Sequence, residues 1–405
     1  MGAISVVFPI GQVIVGLGLL FGNGAASYIS RLLGNGDKEK SNKAASTAIY
    51  SSIFVGAIVI VISLIFLKPI LRILGATESI LPYAVTYSSI YIVSCIFNVF
   101  NVAMNNIVTS EGAAKTTMCA LMSGAILNIV LDPIFINVLD LGVAGAAIAT
   151  AISQFVSTII YLLYIFRRKS VFQFKLKDCC FSKEILTEIF KIGVPALVFQ
   201  ILTSISITLI NNTSSDYGDS AIAGMGVVTR LVSMGSLTVF GFIKGFQPIA
   251  GFSYGAKNIT RLNNAIKVSI VWSTVFCTIY GLVLTLFSTP IASQFSENTE
   301  MIAIASDSLK INGITFILFG FYTVYSSLFL ALGKGKEGFI LGACRQGICF
   351  VPVILIAPMI CGINGVLYAQ PIADVLSAII TIFMASNLHK SLKTRKNTWC
   401  KEKKR

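Results

Sequence analysis

Five ionisable side chains stand inside long apolar stretches of this 405-residue chain: Asp132, Arg230, Lys244, Arg345 and Asp374. A charge at the centre of a bilayer costs roughly 2.5–3.5 kcal/mol or more, so such groups face a partner or a water-filled cavity. Asp132 carries the sharpest chemistry. In the segment LNIVLDPIFIN it follows Asn128 by four residues, which puts both on one helix face. Pro133 comes next; its ring displaces the carbonyl of Ile129 and it has no N–H to donate. An acid, an amide and a loosened carbonyl in one place suit the binding of a proton or a sodium ion. Burial raises a carboxylate's pKa and a nearby cation lowers it, so a site alternating between those surroundings can exchange a proton for cargo. A neutral aspartic acid serving helix packing is the plainer alternative.

Asp374, in AQPIADVLS, is the second intramembrane acid and is open to two readings, ion coupling or interhelical hydrogen bonding. Lys244, in GFIKGFQPIAG, precedes Pro248 by one turn and is expected to pair with an acid or face an aqueous cavity. Gly241 and Gly245 beside it have the small-residue spacing of a close helix crossing. Arg230 and Arg345 are read as snorkelling toward the ends of their spans. Asn98, Asn101, Asn105 and Asn106, with Tyr83, Tyr87 and Tyr91, form a polar, aromatic stripe that serves either as interhelical hydrogen bonding or as a ligand wall. Asn101, Asn105, Gln154 and Gln247 are the candidates to line a cavity.

Other chemistries find no residues. The one histidine, His389, lies in a basic tail, so no nucleophile–His–acid set is expected. The nine cysteines show neither CxxC nor even spacing, and they read as small apolar packing residues rather than metal ligands or disulfides. The nearest approach to a phosphate-binding loop, Gly34 to Ser41, has Glu39 where the second glycine belongs. No enzyme activity, cofactor or metal is expected. A coupled ion gradient supplies the energy instead: one proton moving down about 150 mV releases roughly 3.5 kcal/mol.

The elements that must position these groups are transmembrane helices. Hydrophobic residues make up 55% of the chain and charged residues only 12%, with mean hydropathy +0.83. Soluble domains carry about 25% charged residues, so a water-facing surface cannot be built from this composition. Apolar runs long enough to span a bilayer are predicted at 5–32, 45–70, 82–108, 116–137, 141–166, 188–213, 222–252, 265–288, 302–332, 338–360 and 363–388. The first has no basic residue before it and reads as a retained span rather than a signal peptide.

The net charge of +14 is distributed by side. Arg167, Arg168, Lys169, Lys175, Lys177, Lys183, Lys257, Arg261, Lys334, Lys336 and the lysine-rich tail fall on one side of the membrane. The other side holds Lys68, Arg72, Glu78, Asp140, Asp216, Asp219, Glu297 and Glu300. Lysine and arginine collect in cytoplasmic loops, which places the C-terminus inside. The tail is read as a topology determinant touching anionic lipid, with no nucleic-acid role.

Sliding the chain against itself reveals a duplication. At an offset of 221, Phe21 meets Phe242, Gly24 meets Gly245, Gly34 meets Gly255, Asn42 meets Asn263 and Gly112 meets Gly333. At 220, Gly142 and Gly145 meet Gly362 and Gly365, and Gln154 meets Asp374. The copies run in the same sense, as parallel repeats about an axis along the membrane normal. Residue 1 corresponds to position 222, so helix 188–213 has no partner in the first half. The expected parent has twelve helices, and the chain is read as lacking the original first one. The organisation predicted is a five-helix N-terminal lobe over 1–166, a cytoplasmic linker over 167–187, a six-helix C-terminal lobe over 188–388 and a basic tail over 389–405. The linker interior, 172–180, reads as amphipathic and surface-lying.

The stretches FPIGQVIVGLG, GAASYISRLLGNGD, LNIVLDPIFIN, LDLGVAGAAIATAIS, GFQPIAGFSYGAKN and YAQPIADVLS together resemble the multidrug and toxic compound extrusion family, in its bacterial multidrug branch, over nearly the whole chain. The resemblance implies an all-α polytopic membrane protein with two lobes around a central cavity, and cation-driven antiport by rocking between outward-open and inward-open states. It matches the family's ion-binding asparagine and aspartate to Asn128 and Asp132, and its threonine to Thr150. Where some members carry an acid on the first helix of the second lobe, the polar residues here are Gln200, Asn211 and Asn212. A second ion or cavity site would draw on Asp374, Lys244, Gln200 and Asn211. The reading is an antiporter exporting amphipathic, cationic small molecules for H+ or Na+, acting as a monomer in the bacterial cytoplasmic membrane. The alternatives are a lipid-linked oligosaccharide flippase of the same superfold, which needs an arginine-rich cavity, and a truncated, non-transporting membrane protein.

Overall fold

The computed structural model describes the backbone of residues 2–74 and 81–402, with the side chains of Val7, residues 10–74 and residues 81–395. Glu78 and the side chains from Lys396 onward lie outside the described residues. The described chain is helical without strands: α1 (Gly2–Asn35), α2 (Lys38–Ile65), α3 (Leu67–Ile73), α4 (Leu81–Ser110), α5 (Ala114–Pro133), α6 (Gly142–Phe166), α7 (Lys183–Ser215), α8 (Asp219–Gly255), α9 (Ile259–Leu286), α10 (Ser288–Ser293), α11 (Thr299–Ala331), α12 (Gly335–Ala343), α13 (Phe350–Cys361) and α14 (Ile363–Glu402). Among them, eleven stretches are long and apolar enough to cross a membrane, α12 and α13 forming one such stretch through the π-helical turn Cys344–Ile348.

The predicted spans over 45–70 and 265–288 are corrected. Each is a long helix that stops and a short one that follows. Proline has no N–H for the helical carbonyl four residues before it, and its ring crowds that carbonyl, which kinks or breaks a helix. Pro69 stands four residues after Ile65, where α2 ends, and Pro290 four after Leu286, where α9 ends, with Phe66 and Phe287 at the breaks. These positions are themselves 221 apart. The duplication extends to the caps: Asp37 accepts from the Lys40 N–H and Asn258 from the Arg261 N–H, both at 3.0 Å, with nearly equal backbone angles. Gly112 and Gly333 share left-handed φ values of 92° and 76°, and Gly142 and Gly362 share 52° and 59°.

The chain divides into two compact units, Met1–Ile201 and Leu202–Arg405, so the boundary falls within α7. In the first unit, α1 and the first half of α7 cross at van der Waals contact. A side chain on Gly24 would meet the Ile189 carbonyl, and one on Gly193 would meet the Leu20 carbonyl. The Arg31–Glu188 and Lys40–Glu184 pairs, both 2.6 Å, fasten the same end. In the second unit, α9 and α11 touch backbone to backbone at Gly281 and Gly313. The close crossing expected at Gly241 and Gly245 is not found, since nothing lies within 4 Å of a side chain added at either. Spacing alone creates a groove on α8, but only a helix seated in that groove makes it a crossing.

The 167–182 linker is docked on the first unit in specific register. Phe172 and Phe174 are buried with Leu20, Phe21 and Ile189, and Phe174 takes a left-handed φ of 48°. Tyr50 Oη donates to the Phe174 carbonyl at 2.9 Å, and Thr47 exchanges two hydrogen bonds with the Cys180 backbone. Between α4 and α5, Glu111 Oε2 accepts from Ser170 Oγ at 2.9 Å and from the Val171 N–H at 2.8 Å.

Burial pushes the Glu111 carboxyl above the ordinary glutamate range, and the donors Val171 N–H, Tyr164 and Ser170 pull it only part of the way back. The folded value exceeds the unfolded one, so its stability contribution is full below the ordinary value of about 4.3 and is lost as pH rises through the folded value. Relative to Glu111→Gln, the wild-type melting temperature in detergent should therefore fall as pH is raised from acid to neutral. Parallel pH profiles for the two proteins would refute this origin.

Candidate functional site

The first unit holds a carboxylate–amide pair. Asn128 Nδ2 donates to Asp132 Oδ1 at 3.1 Å, one helical turn apart, and both are half-buried. Pro133 closes α5, and the chain continues as a π-helical turn over Ile134–Val138. The acid thus stands where the regular hydrogen-bond ladder changes register, a feature common at functional sites. Thr150, drawn to this pair by family resemblance, instead donates to the Ala146 carbonyl in its own helix at 3.0 Å.

The same unit holds a buried polar seam between α4 and α6. Asn101 Nδ2 donates to both the side chain and the backbone carbonyl of Gln154, at 2.9 and 2.8 Å. Thr158 Oγ1 donates to Asn101 Oδ1 at 2.9 Å, and Asn105 Nδ2 donates to Tyr161 Oη at 3.3 Å. Asn101 and Asn105 are buried, and their amides join α4 to α6. Of the stripe on α4, Asn101 and Asn105 make interhelical hydrogen bonds, whereas Asn106 donates to the Val102 carbonyl of its own helix and Tyr83 is exposed. Gln200 Nε2 donates to Gln12 Oε1 at 2.6 Å, joining α7 to α1.

The second unit places its acid differently. Arg345 Nε donates to Asp374 Oδ1 at 2.8 Å, and Gln370 Nε2 donates to the same oxygen at 2.9 Å. The guanidinium carbon lies 4.5 Å from the Phe319 ring centroid, a cation–π distance. Both ion-pair partners are about 5% exposed, so the snorkelling read for Arg345 is wrong. Arg345, in the π-helical turn, does not reach for a headgroup because a carboxylate on α14 meets it inside the unit. Arg230, Lys244 and Asn211 are exposed, and Gln247 is half-buried.

Sequence reasoning missed Gln370, Thr158, Tyr161 and Gln12. For Gln370 the signal was present, because Gln370–Asp374 repeats the i, i+4 amide–acid spacing of Asn128–Asp132. For the others no local pattern exists; their partners lie on other helices.

A duplicated set of membrane-spanning helices, with a carboxylate–amide pair beside a broken helix in one copy, is how many secondary transporters are built. The MatE family model matches residues 1–134 and 195–356. The multidrug export protein MepA of Staphylococcus haemolyticus is 32% identical over 392 residues, spanning 97% of this chain and 86% of that protein. MepA of Staphylococcus aureus strain MSSA476 is 32% identical over 384 residues, spanning 95% and 85%. A MATE structure in complex with MaL6 superposes with TM-score 0.92 at 26% identity, covering 97% of this chain and 89% of that one. An outward-facing multidrug resistance MATE transporter gives 0.91 at 27%, covering 97% and 88%. The chain belongs to the MatE family of multidrug and toxic compound extrusion transporters, and is an integral membrane protein.

Proposed function

We propose that this protein is a secondary active antiporter exporting amphipathic, cationic small molecules in exchange for H+ or Na+. The observation carrying the reading is the Asn128–Asp132 pair, a half-buried carboxylate whose hydrogen-bond partner is a neutral amide. A carboxylate so placed has a negative charge to offer a coupling ion, whereas Asp374 is already met by Arg345. Asp132 takes the ion when the site opens outward and releases it when the site opens inward, and Asn128 orients the acceptor oxygen. Thr150 would join the ion's ligands by turning its hydroxyl away from Ala146. The relatives named for multidrug export support the cargo class. The engagement of Arg345 by Asp374 weighs against the flippase reading, which needs an arginine-rich cavity. The protein sits in the bacterial cytoplasmic membrane with its C-terminus inside.

The test is efflux of a fluorescent cationic dye from cells expressing the wild type or Asp132→Asn at equal membrane abundance. Wild-type efflux should stop on adding an uncoupler or collapsing the sodium gradient, and the variant should fall to the level of cells without the protein. A variant that still drives uncoupler-sensitive efflux at the wild-type rate would sink the assignment. Wild-type efflux itself disposes of the non-transporting alternative.

A further inference from the structure

The linker between α6 and α7 has an inner and an outer side, and their chemistry differs. Its inner side is fully engaged: Phe172 and Phe174 in the core, Ser170 and Val171 N–H on Glu111, and Gln173 N–H on Asn42 Oδ1 at 2.8 Å. The segment's one acid, Asp178, is also turned inward, where Asn42 Nδ2 donates to it at 2.7 Å. What remains outside, apart from the Gln173 side chain, is of two kinds. Val171, Leu176 and Phe181 are 52%, 70% and 67% exposed, and Arg167, Arg168, Lys169, Lys175, Lys177 and Lys183 are all exposed. Six basic residues interleaved with three large apolar side chains, and no acid among them, form an amphipathic cationic strip.

We infer that this strip is a docking surface for the anionic headgroup layer of the bilayer. Two observations choose lipid over an acidic protein. The strip is continuous with the membrane at both ends: it leaves α6 beside Phe166, which is 77% exposed, and enters α7 at Lys183, each helix long and apolar enough to span. And its exposed apolar side chains alternate with lysines, so that the former can enter the acyl boundary while the latter meet phosphate. Each lysine near an anionic surface contributes a factor of about five. The inward contacts hold the strip in this presentation, since the register Phe172-in, Gln173-out, Phe174-in is set by burial and by three backbone hydrogen bonds.

The test uses the full chain with Trp272→Phe and Trp399→Phe, and with Leu176→Trp as the reporter, in vesicles of phosphatidylcholine alone or mixed with phosphatidylglycerol. In the mixed vesicles, tryptophan emission should be quenched by lipid brominated near the headgroup and shielded from aqueous acrylamide. Adding Lys175→Gln and Lys177→Gln, or raising salt, should return it to acrylamide, with a shift in the two-state equilibrium of about twenty-five-fold for the two lysines. Equal acrylamide quenching in both vesicles, with no effect of brominated lipid, would overturn the inference. So would lipid quenching that ignores both phosphatidylglycerol and the lysines. If Leu176→Trp disturbs folding, Phe181→Trp serves the same measurement from the other end of the strip.

Discussion

Arg345→Met is expected to destabilise the second unit by about 3–5 kcal/mol, the range found when one partner of a buried ion pair is removed. Asp374 stays behind, 6% exposed, with Gln370 still donating to it and its ion-pair partner gone. The Phe319 ring loses its guanidinium at the same time. Desolvating two charges is itself expensive, so replacing the pair by apolar residues of similar volume is often neutral or better. Arg345→Met combined with Asp374→Leu should therefore recover most of the loss. Unfolding of the detergent-solubilised variants in a double-mutant cycle measures the difference. Additive costs in the double variant would show that the two side chains act separately and that the ion pair does not organise the unit. The reciprocal variant Asp374→Leu alone should be as damaging, because it leaves the guanidinium unpaired.

Gly193→Val should separate α1 from α7. The new Cβ would fall inside the contact radius of the Leu20 carbonyl, and a backbone atom cannot swing aside as a flexible side chain can. Overpacking a well-filled contact costs about 1–3 kcal/mol. Here the added bulk is two methyl groups beyond the first clash, so the upper end is expected, visible as a lowered melting temperature. The Arg31–Glu188 pair, which spans the same two helices, should loosen with it. Gly226→Ala on α8 is the control: nothing lies within 4 Å of the added carbon, and alanine is favoured over glycine in a helix interior by about 1 kcal/mol. If both substitutions lowered the melting temperature equally, glycine's role in the crossing would be refuted.

Much of the architecture was legible because a membrane leaves few choices. Backbone groups in hydrocarbon must bond within their own segment, so a long apolar run becomes a helix wherever it lies. Eleven runs gave eleven spans among the described residues. The duplication was legible from Phe21–Phe242 to Gly145–Gly365, because turn glycines and caps are local and repeat when the backbone repeats. Pro69 and Pro290 were on view, yet the breaks at Phe66 and Phe287 were overlooked, since hydropathy alone runs straight through them.

The candidate site divides along the same line. Asn128 and Asp132 meet because they are four residues apart on one helix, a distance that helical geometry sets in any tertiary context. Arg345 and Asp374 meet across 29 residues, and Asn101 and Gln154 across 53. Reading such pairs demands the facing of two helices, which sequence spacing does not contain. The chain by itself determined that this is a membrane protein of duplicated helices with an acid–amide pair beside a proline break, because each of those follows from local sterics and solvation. Only the tertiary structure decided that Asp374 meets a cation, Arg345, from another helix, while Asp132 meets a neutral amide one turn away. That depends on whether a neighbouring helix happens to present a cation at hydrogen-bond distance in a low-dielectric interior.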